Sequence, residues 1–239
     1  MNNQEFSNGF DTLVSSYRRF KDFDNKEILD SVEFDEYEKS LFLTRSQEEI
    51  MIGLYNGTIK GESLEQSEEL RRLLANMVIR ADFGMNDVIR TPGLTEKSKL
   101  FEMPENLAFI IYEEITYDDS SLGCYDHSKA AVVPIRHDEY ERVKNNPFRG
   151  PTKYRALRLD AGTNGTLQMV EIIPKYEFDT YTIRYLKKPR PIILEDLPEG
   201  LTIEGQNQES TCELNPLLHQ IILERAVMLA LRAKTNISK

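Results

Sequence analysis

The sequence predicts an α+β fold: a helical bundle of N-terminal helices plus a C-terminal helix, with an inserted antiparallel β-sandwich or small barrel. Three observations carry that expectation. Apolar residues in the N-terminal part recur at steps of three and four. The middle of the chain breaks into short aromatic and β-branched runs separated by Gly, Pro and Asn. The last helix is apolar over much of its circumference, so it needs cover on more than one side, most simply from the N-terminal helices. The expected parts are a helical portion over 1–99, an antiparallel β-rich domain over 100–205, and a C-terminal helix within 206–239 that packs on the N-terminal bundle.

Phe6, Phe10, Leu13, Val14, Tyr17 and Phe20 share one helical face, which predicts a helix over about residues 3–21. An acidic loop follows, from Lys21 to Glu33. A second helix is expected over 34–43. Thr44 with Gln47 reads as a capping box that starts a third, which Asn56 and Gly57 stop. Ser63 and Gln66 repeat the device ahead of Leu70, Leu73, Leu74, Met77, Val78 and Ala81. Gly84, Pro92 and Gly93 then mark a boundary.

Strands are expected over 107–117, with Ile110, Tyr112 and Ile115 inward or at an interface, and over 130–135, followed by a short helix at 137–146. Asn146 to Pro151 is a rigid loop around Phe148, which either plugs the core or anchors a partner. In 153–159 the leucines alternate with Arg158, predicting a strand with a buried leucine face and a wet arginine face. A turn at 162–165 leads to a return strand at 167–173. Tyr181, Ile183 and Tyr185 alternate with Thr182 and Arg184 in the clearest strand of the chain. Pro189 and Pro191 end it, because proline cannot donate to a sheet ladder. Asn215 and Pro216 give an N-cap and first position for the last helix.

With 40% apolar and 29% charged residues among 239, the composition is that of a soluble globular protein. No apolar run approaches the roughly 20 residues of a membrane helix, and the N-terminal segment lacks a basic flank and apolar core, so no membrane partner and a cytoplasmic origin are expected. Cys124 and Cys212, far apart, read as reduced buried thiols. A net charge of -10 argues against tight nucleic-acid binding, which depends on Lys and Arg displacing counterions. Such acidity serves plain solubility first, and it also suits a wall past which DNA slides without sticking.

His137, Asp138 and Glu139 are the most enzyme-like cluster, but consecutive helical positions point in different directions, so no catalytic residue is assigned. Cys124 and His127 could supply two metal ligands where a site needs three or four, and no metal or cofactor site is assigned. His219, among apolar neighbours, reads as a core or interface histidine. Nucleotide-binding glycine loops and hydrolase motifs do not occur in the sequence. Lys187, Lys188 and Arg190, the basic cluster between the prolines, fit a solvated edge or an acidic partner surface.

Six strings resemble a virion structural protein of crAss-like tailed bacteriophages: FDEYEKSLFLT at 34–44, MPENLAFIIYEE at 103–114, VVPIRHDEYERVKNNPF at 132–148, VEII at 170–173, IRYLKKPRPIIL at 183–194 and CELNPLLHQIILERAVMLA at 212–230. That family is similar in role to the head-to-tail connector, or neck ring, proteins that lie beneath the portal and extend its channel toward the tail. The resemblance implies a twelvefold ring of self-copies and contacts with portal and other neck or tail rings. It implies DNA passing through without specific binding, residence in the virion after assembly in the host cytoplasm, and no catalysis. Ring closure would be heterologous. Phe148, Arg149, Lys187, Lys188 and Arg190 are the expected partner-interface residues. The rival classes are a phage hydrolase built on His137 with Asp138 or Glu139, and a DNA-binding accessory protein.

Overall fold

The computed structural model describes residues 1–21, 33–58, 67–90 and 92–237. The expected acidic loop before Glu33 and the helix start at Ser63 and Gln66 lie outside them. The fold is α+β, and the chain divides into two compact units, residues 1–77 with 188–239 and residues 78–187.

In the first unit, α1 (Asn3–Lys21) buries Phe6, Phe10 and Val14 along one face. The next helix, α2 (Glu36–Tyr55), runs unbroken through Thr44 and has its N-cap at Asp35, whose carboxylate accepts from Glu38 N at 2.7 Å. The expected helix start at Thr44 is therefore corrected. Thr44 and Gln47 instead belong to a buried polar stripe with Ser40, at helical spacing, which binds the chain returning from the second unit. Ser40 Oγ accepts from Leu194 N (3.0 Å), Thr44 Oγ1 accepts from Ile192 N (3.0 Å), and Gln47 Nε2 donates to Arg190 O (2.7 Å). On the other side of that extended segment, Ile193 exchanges backbone hydrogen bonds with Ser210 at 3.0–3.1 Å. Residues 190–194 thus replace a sheet neighbour with helix side chains.

The short α3 (Glu68–Leu74) buries Leu70, Leu73 and Leu74. Asn215 accepts from Leu217 N at 3.0 Å and Pro216 opens the final helical turn before α5 (His219–Ile237). In α5, Ile222, Leu223, Ala226, Val227 and Ala230 are buried, and the helix packs on α1 and α2. Ser46 Oγ donates to Ile222 O (2.7 Å) and Arg225 pairs with Glu49 (2.7 Å), fixing α5 along α2.

The second unit is one eight-stranded sheet made of β1 (Val78–Phe83), β2 (Val88–Arg90), β3 (Lys99–Glu102), β4 (Leu107–Tyr117), β5 (Lys129–Pro134), β6 (Arg155–Asn164), β7 (Leu167–Ile173) and β8 (Phe178–Lys187). Its order is β1-β8-β4-β5-β6-β7-β3-β2. Val78 and Ala81, expected on a helix, lie instead on the edge strand β1, paired with β8. The helical spacing that ends at Met77 gives way to a period of two, with Ile79, Ala81 and Phe83 packed against the barrel core. The sheet curls: the ring of Phe101 on β3 lies 5.4 Å from that of Tyr181 on β8, although four strands stand between β3 and β8 in the order, and Phe83 of β1 stacks on the same tyrosine at 5.6 Å. It is a partly open barrel rather than a sandwich.

All pairings are antiparallel except β5 with β6, which is parallel. Parallel neighbours need a crossover connection, and α4 (His137–Val143) with the loop after it supplies one. Val143 on α4 packs with Leu157, Leu159 and Ile173 on the outer face of the sheet. Ala156 faces the barrel core instead. Arg158, expected wet, has a side chain only 13% exposed and pairs at 2.5 Å with Glu113, itself buried on β4. The inward residues of β4 are Leu107, Ile110, Glu113, Ile115 and Tyr117, with Ile110 and Ile115 as expected, whereas Tyr112 is exposed, because a register shift between Ile110 and Tyr112 moves the alternation by one residue.

Candidate assembly surfaces

The crossover after α4 carries the most exposed large apolar side chain among the described residues. Phe148 is 84% exposed and does not plug the core. The backbone beneath it is nonetheless fixed. Asn146 Oδ1 accepts from Phe148 N (2.8 Å) and Arg149 N (3.1 Å), Asn146 O accepts from Gly150 N (2.7 Å), and the Arg155 guanidinium donates to Phe148 O. A side chain at Gly150 would meet the carbonyl oxygens of Asn146 and Val143 at 2.7 and 2.8 Å, so glycine is what allows the loop to fold this tightly. Burying a phenylalanine stabilises by about 1.5–3 kcal/mol, and this rigid loop presents one to solvent.

The segment that supports the Phe148 loop through Arg155 also contributes to an exposed aromatic pair that the sequence reading missed. The Lys153 ammonium lies 3.6 Å from the Tyr125 ring centroid and 4.9 Å from that of Tyr154, and both tyrosines are exposed. Tyr125 and Tyr154 are 29 positions apart in the sequence, so no local pattern joins them. A cleft of about 690 Å³, lined by Tyr140, Asn146, Pro147, Pro151, Ile173 and Pro174, opens against the same loop.

The basic turn is engaged within its own unit. Lys188 bridges Glu48 (3.0 Å) and Glu204 (2.7 Å). Burial alone would lower its pKa, but hydrogen bonds and charge from the two glutamates outweigh that and raise it. The Arg190 guanidinium stands 3.8 Å from Glu213, whose carboxylate also accepts from Arg190 N at 3.1 Å. Pro189 and Pro191 are buried.

Matching strings and the assembly-like loops have a common explanation in the comparison with known proteins. The family model for phage tail ring protein 3/4 matches residues 1–239. The chain belongs to this ring family. It is 46% identical over 240 residues to "Ring protein 3" of Bacteroides phage crAss001, covering 100% of this chain and 98% of that protein. It is 31% identical over 238 residues to "Ring protein 4/5" of the same phage, covering 96% and 92%.

In this member of the ring family the enzyme-like residues are engaged by other groups. His137 Nε2 lies 2.7 Å from Asp160 O, while Arg136 takes Asp138 (3.6 Å) and Glu139 (3.4 Å). His127 sits with Asp118 and Asp126 rather than with Cys124, on the surface, where acidic groups gather without a ligand. Cys124 is exposed, against the expectation of a buried thiol, and Cys212 is partly buried, its pKa pushed up by burial to about 11. His219 is buried against Phe6 and bonds Leu214 O at 3.1 Å, and burial lowers its pKa. No helix among the described residues is long and apolar enough to cross a membrane.

Proposed function

We propose that this chain is a structural subunit of the phage particle that joins copies of itself into a ring of the head-to-tail connector, beneath the portal, extending the DNA channel toward the tail. The observation that carries this reading is the match to the ring family over the whole chain. The ring is twelvefold and its other partners are the portal and adjoining ring proteins. DNA passes without specific binding, in keeping with the net charge of -10. The subunit is assembled in the host cytoplasm, resides in the virion, and acts without catalysis: of the residues a hydrolase would use, His137 bonds the Asp160 carbonyl and Arg136 takes both carboxylates. Phe148, Arg149 and Lys187 contact neighbours. Lys188 and Arg190 contribute by holding the turn, since their carboxylate partners are already in the same unit.

The test is quantitative mass spectrometry of purified particles. The expected result is a copy number equal to that of the portal, with a ring at the neck in cryo-electron microscopy. Absence of the chain from mature particles would overturn the reading.

A further inference from the structure

Two blocks of opposite charge stand out in this chain. From Arg142 to Leu159 there are six cations, Arg142, Lys144, Arg149, Lys153, Arg155 and Arg158, and no acidic residue. From Pro191 to Glu224 there are seven acidic residues and no lysine or arginine. The structure shows which of these charges are already committed. Arg158 is inside the barrel on Glu113, Arg155 supports the Phe148 carbonyl, and Lys144 pairs with Glu141 at 2.6 Å. Arg142 and Arg149 remain exposed, and Lys153 stands between two exposed tyrosines, two residues before the Arg155 that donates to Phe148 O. In the acidic block Glu204 and Glu213 serve the basic turn, and Asp196 Oδ1 accepts from Glu209 N at 2.7 Å. Glu195 and Glu199 are exposed and make no ion pair among the described residues.

We propose that the cationic aromatic surface around Phe148, Arg149 and Lys153 docks onto the acidic connection at 195–209 of a second copy of this chain. The inference rests on the ring reading and names the contact that closes it. A cationic face meeting a different, acidic face on the next copy is a heterologous contact, the kind that generates rings. Phe148 supplies the apolar centre, and the charges supply register and reject like faces. The rival ligand for aromatic and basic residues is single-stranded nucleic acid. Half of the six cations are spent internally, and a chain of charge -10 repels the backbone, so the acidic protein surface fits better.

The experiment uses two full-length variants. The first, R142E/R149E/K153E, turns the basic face acidic. The second, E195K/E199K, turns the acidic connection basic. Sedimentation velocity is run on each alone and on an equimolar mixture, from about 50 to about 300 mM salt, together with an oligonucleotide titration. Wild type is expected to associate at low salt and to weaken as salt rises. Each variant alone, with like faces opposed, is expected to lose about tenfold or more in association, with unchanged circular dichroism. The mixture is expected to recover association, because each altered face then meets a complementary one. Unchanged association in either variant, no recovery on mixing, or tight oligonucleotide binding lost only in the first variant would overturn the proposal. A contact closed within one chain would also give no recovery. Wild type that stays monomeric throughout overturns it too, and leaves the ring reading to the particle stoichiometry, since a ring can assemble on a template.

Discussion

Arg158 turns its guanidinium into the barrel, where Glu113 meets it at 2.5 Å and Tyr181 donates a second hydrogen bond to that carboxylate at 2.7 Å. Burial raises the Glu113 pKa more than Arg158 and the tyrosine lower it, and the net direction is up. The folded state therefore holds the Glu113 proton more tightly than the unfolded chain does. The stability this group contributes is full below the ordinary glutamate pKa of about 4.3 and falls as pH rises through the raised folded value. Arg158→Ala removes the opposing charge and is expected to cost about 3–5 kcal/mol at about pH 8. The cost should shrink at about pH 5, where Glu113 can be protonated, and Glu113→Gln in the same background should restore more than half of it. Urea unfolding of the three proteins at both pH values measures this, and a pH-independent cost with no restoration would exclude the pair as its source. The alternation of Leu157, Arg158 and Leu159 was legible in the sequence. So was the burial of the leucine face, which α4 covers; the cover over the arginine was not, since the curl of the sheet supplies it and the acidic partner lies 45 residues away.

Helix α2 is a scaffold as much as a packed helix, and its polar stripe shows how a local motif can mislead. Thr44 followed by Gln47 has the spacing of a capping box, yet both side chains are buried mid-helix, where the same spacing aligns them with the backbone of 190–194. The two prolines correctly marked the end of β8. What the segment does next depends on a helix about 150 residues earlier, which no window of sequence contains. Thr44→Val keeps shape and adds apolar area, so a purely hydrophobic account expects no loss. The hydrogen-bond account expects a loss of about 1–3 kcal/mol, because the buried Ile192 N–H loses its acceptor. For a chain of this size that corresponds to a fall of about 2–4 °C in Tm per kcal/mol. Calorimetry on Thr44→Val and Thr44→Ser separates the accounts, since serine keeps the acceptor. Equal Tm values for valine and wild type would refute the role of the stripe.

At the scale of the whole molecule, the strand-rich unit enters and leaves at one place. Val78 at the start of β1 pairs with Leu186 near the end of β8, so the two ends of 78–187 lie on neighbouring antiparallel strands, about 5 Å apart. An insertion with adjacent ends and its own core, here the inward cluster from Phe101 to Tyr185, can fold without its host. The insertion itself was legible in the sequence, from an apolar C-terminal helix that needed N-terminal partners. The sequence placed its edges at 100 and 205, because β1 and β2 are short edge strands beside helical spacing, and because 188–205 follows β8 without any helix yet pairs with no sheet strand. Residues 78–187 expressed alone are therefore expected to fold as a β-rich unit with cooperative thermal unfolding. The chain with 78–187 replaced by a short Gly/Ser linker from Met77 to Lys188 should keep its helical circular dichroism, because α1, α2 and α5 pack on one another within that unit. Cooperative unfolding of both pieces, with resonance dispersion in NMR, would establish two folding units joined at two adjacent crossings. If the linker variant melted without a transition while 78–187 folded, the helical unit would depend on the barrel, and ring subunits of this design would have to fold from the middle of the chain outward.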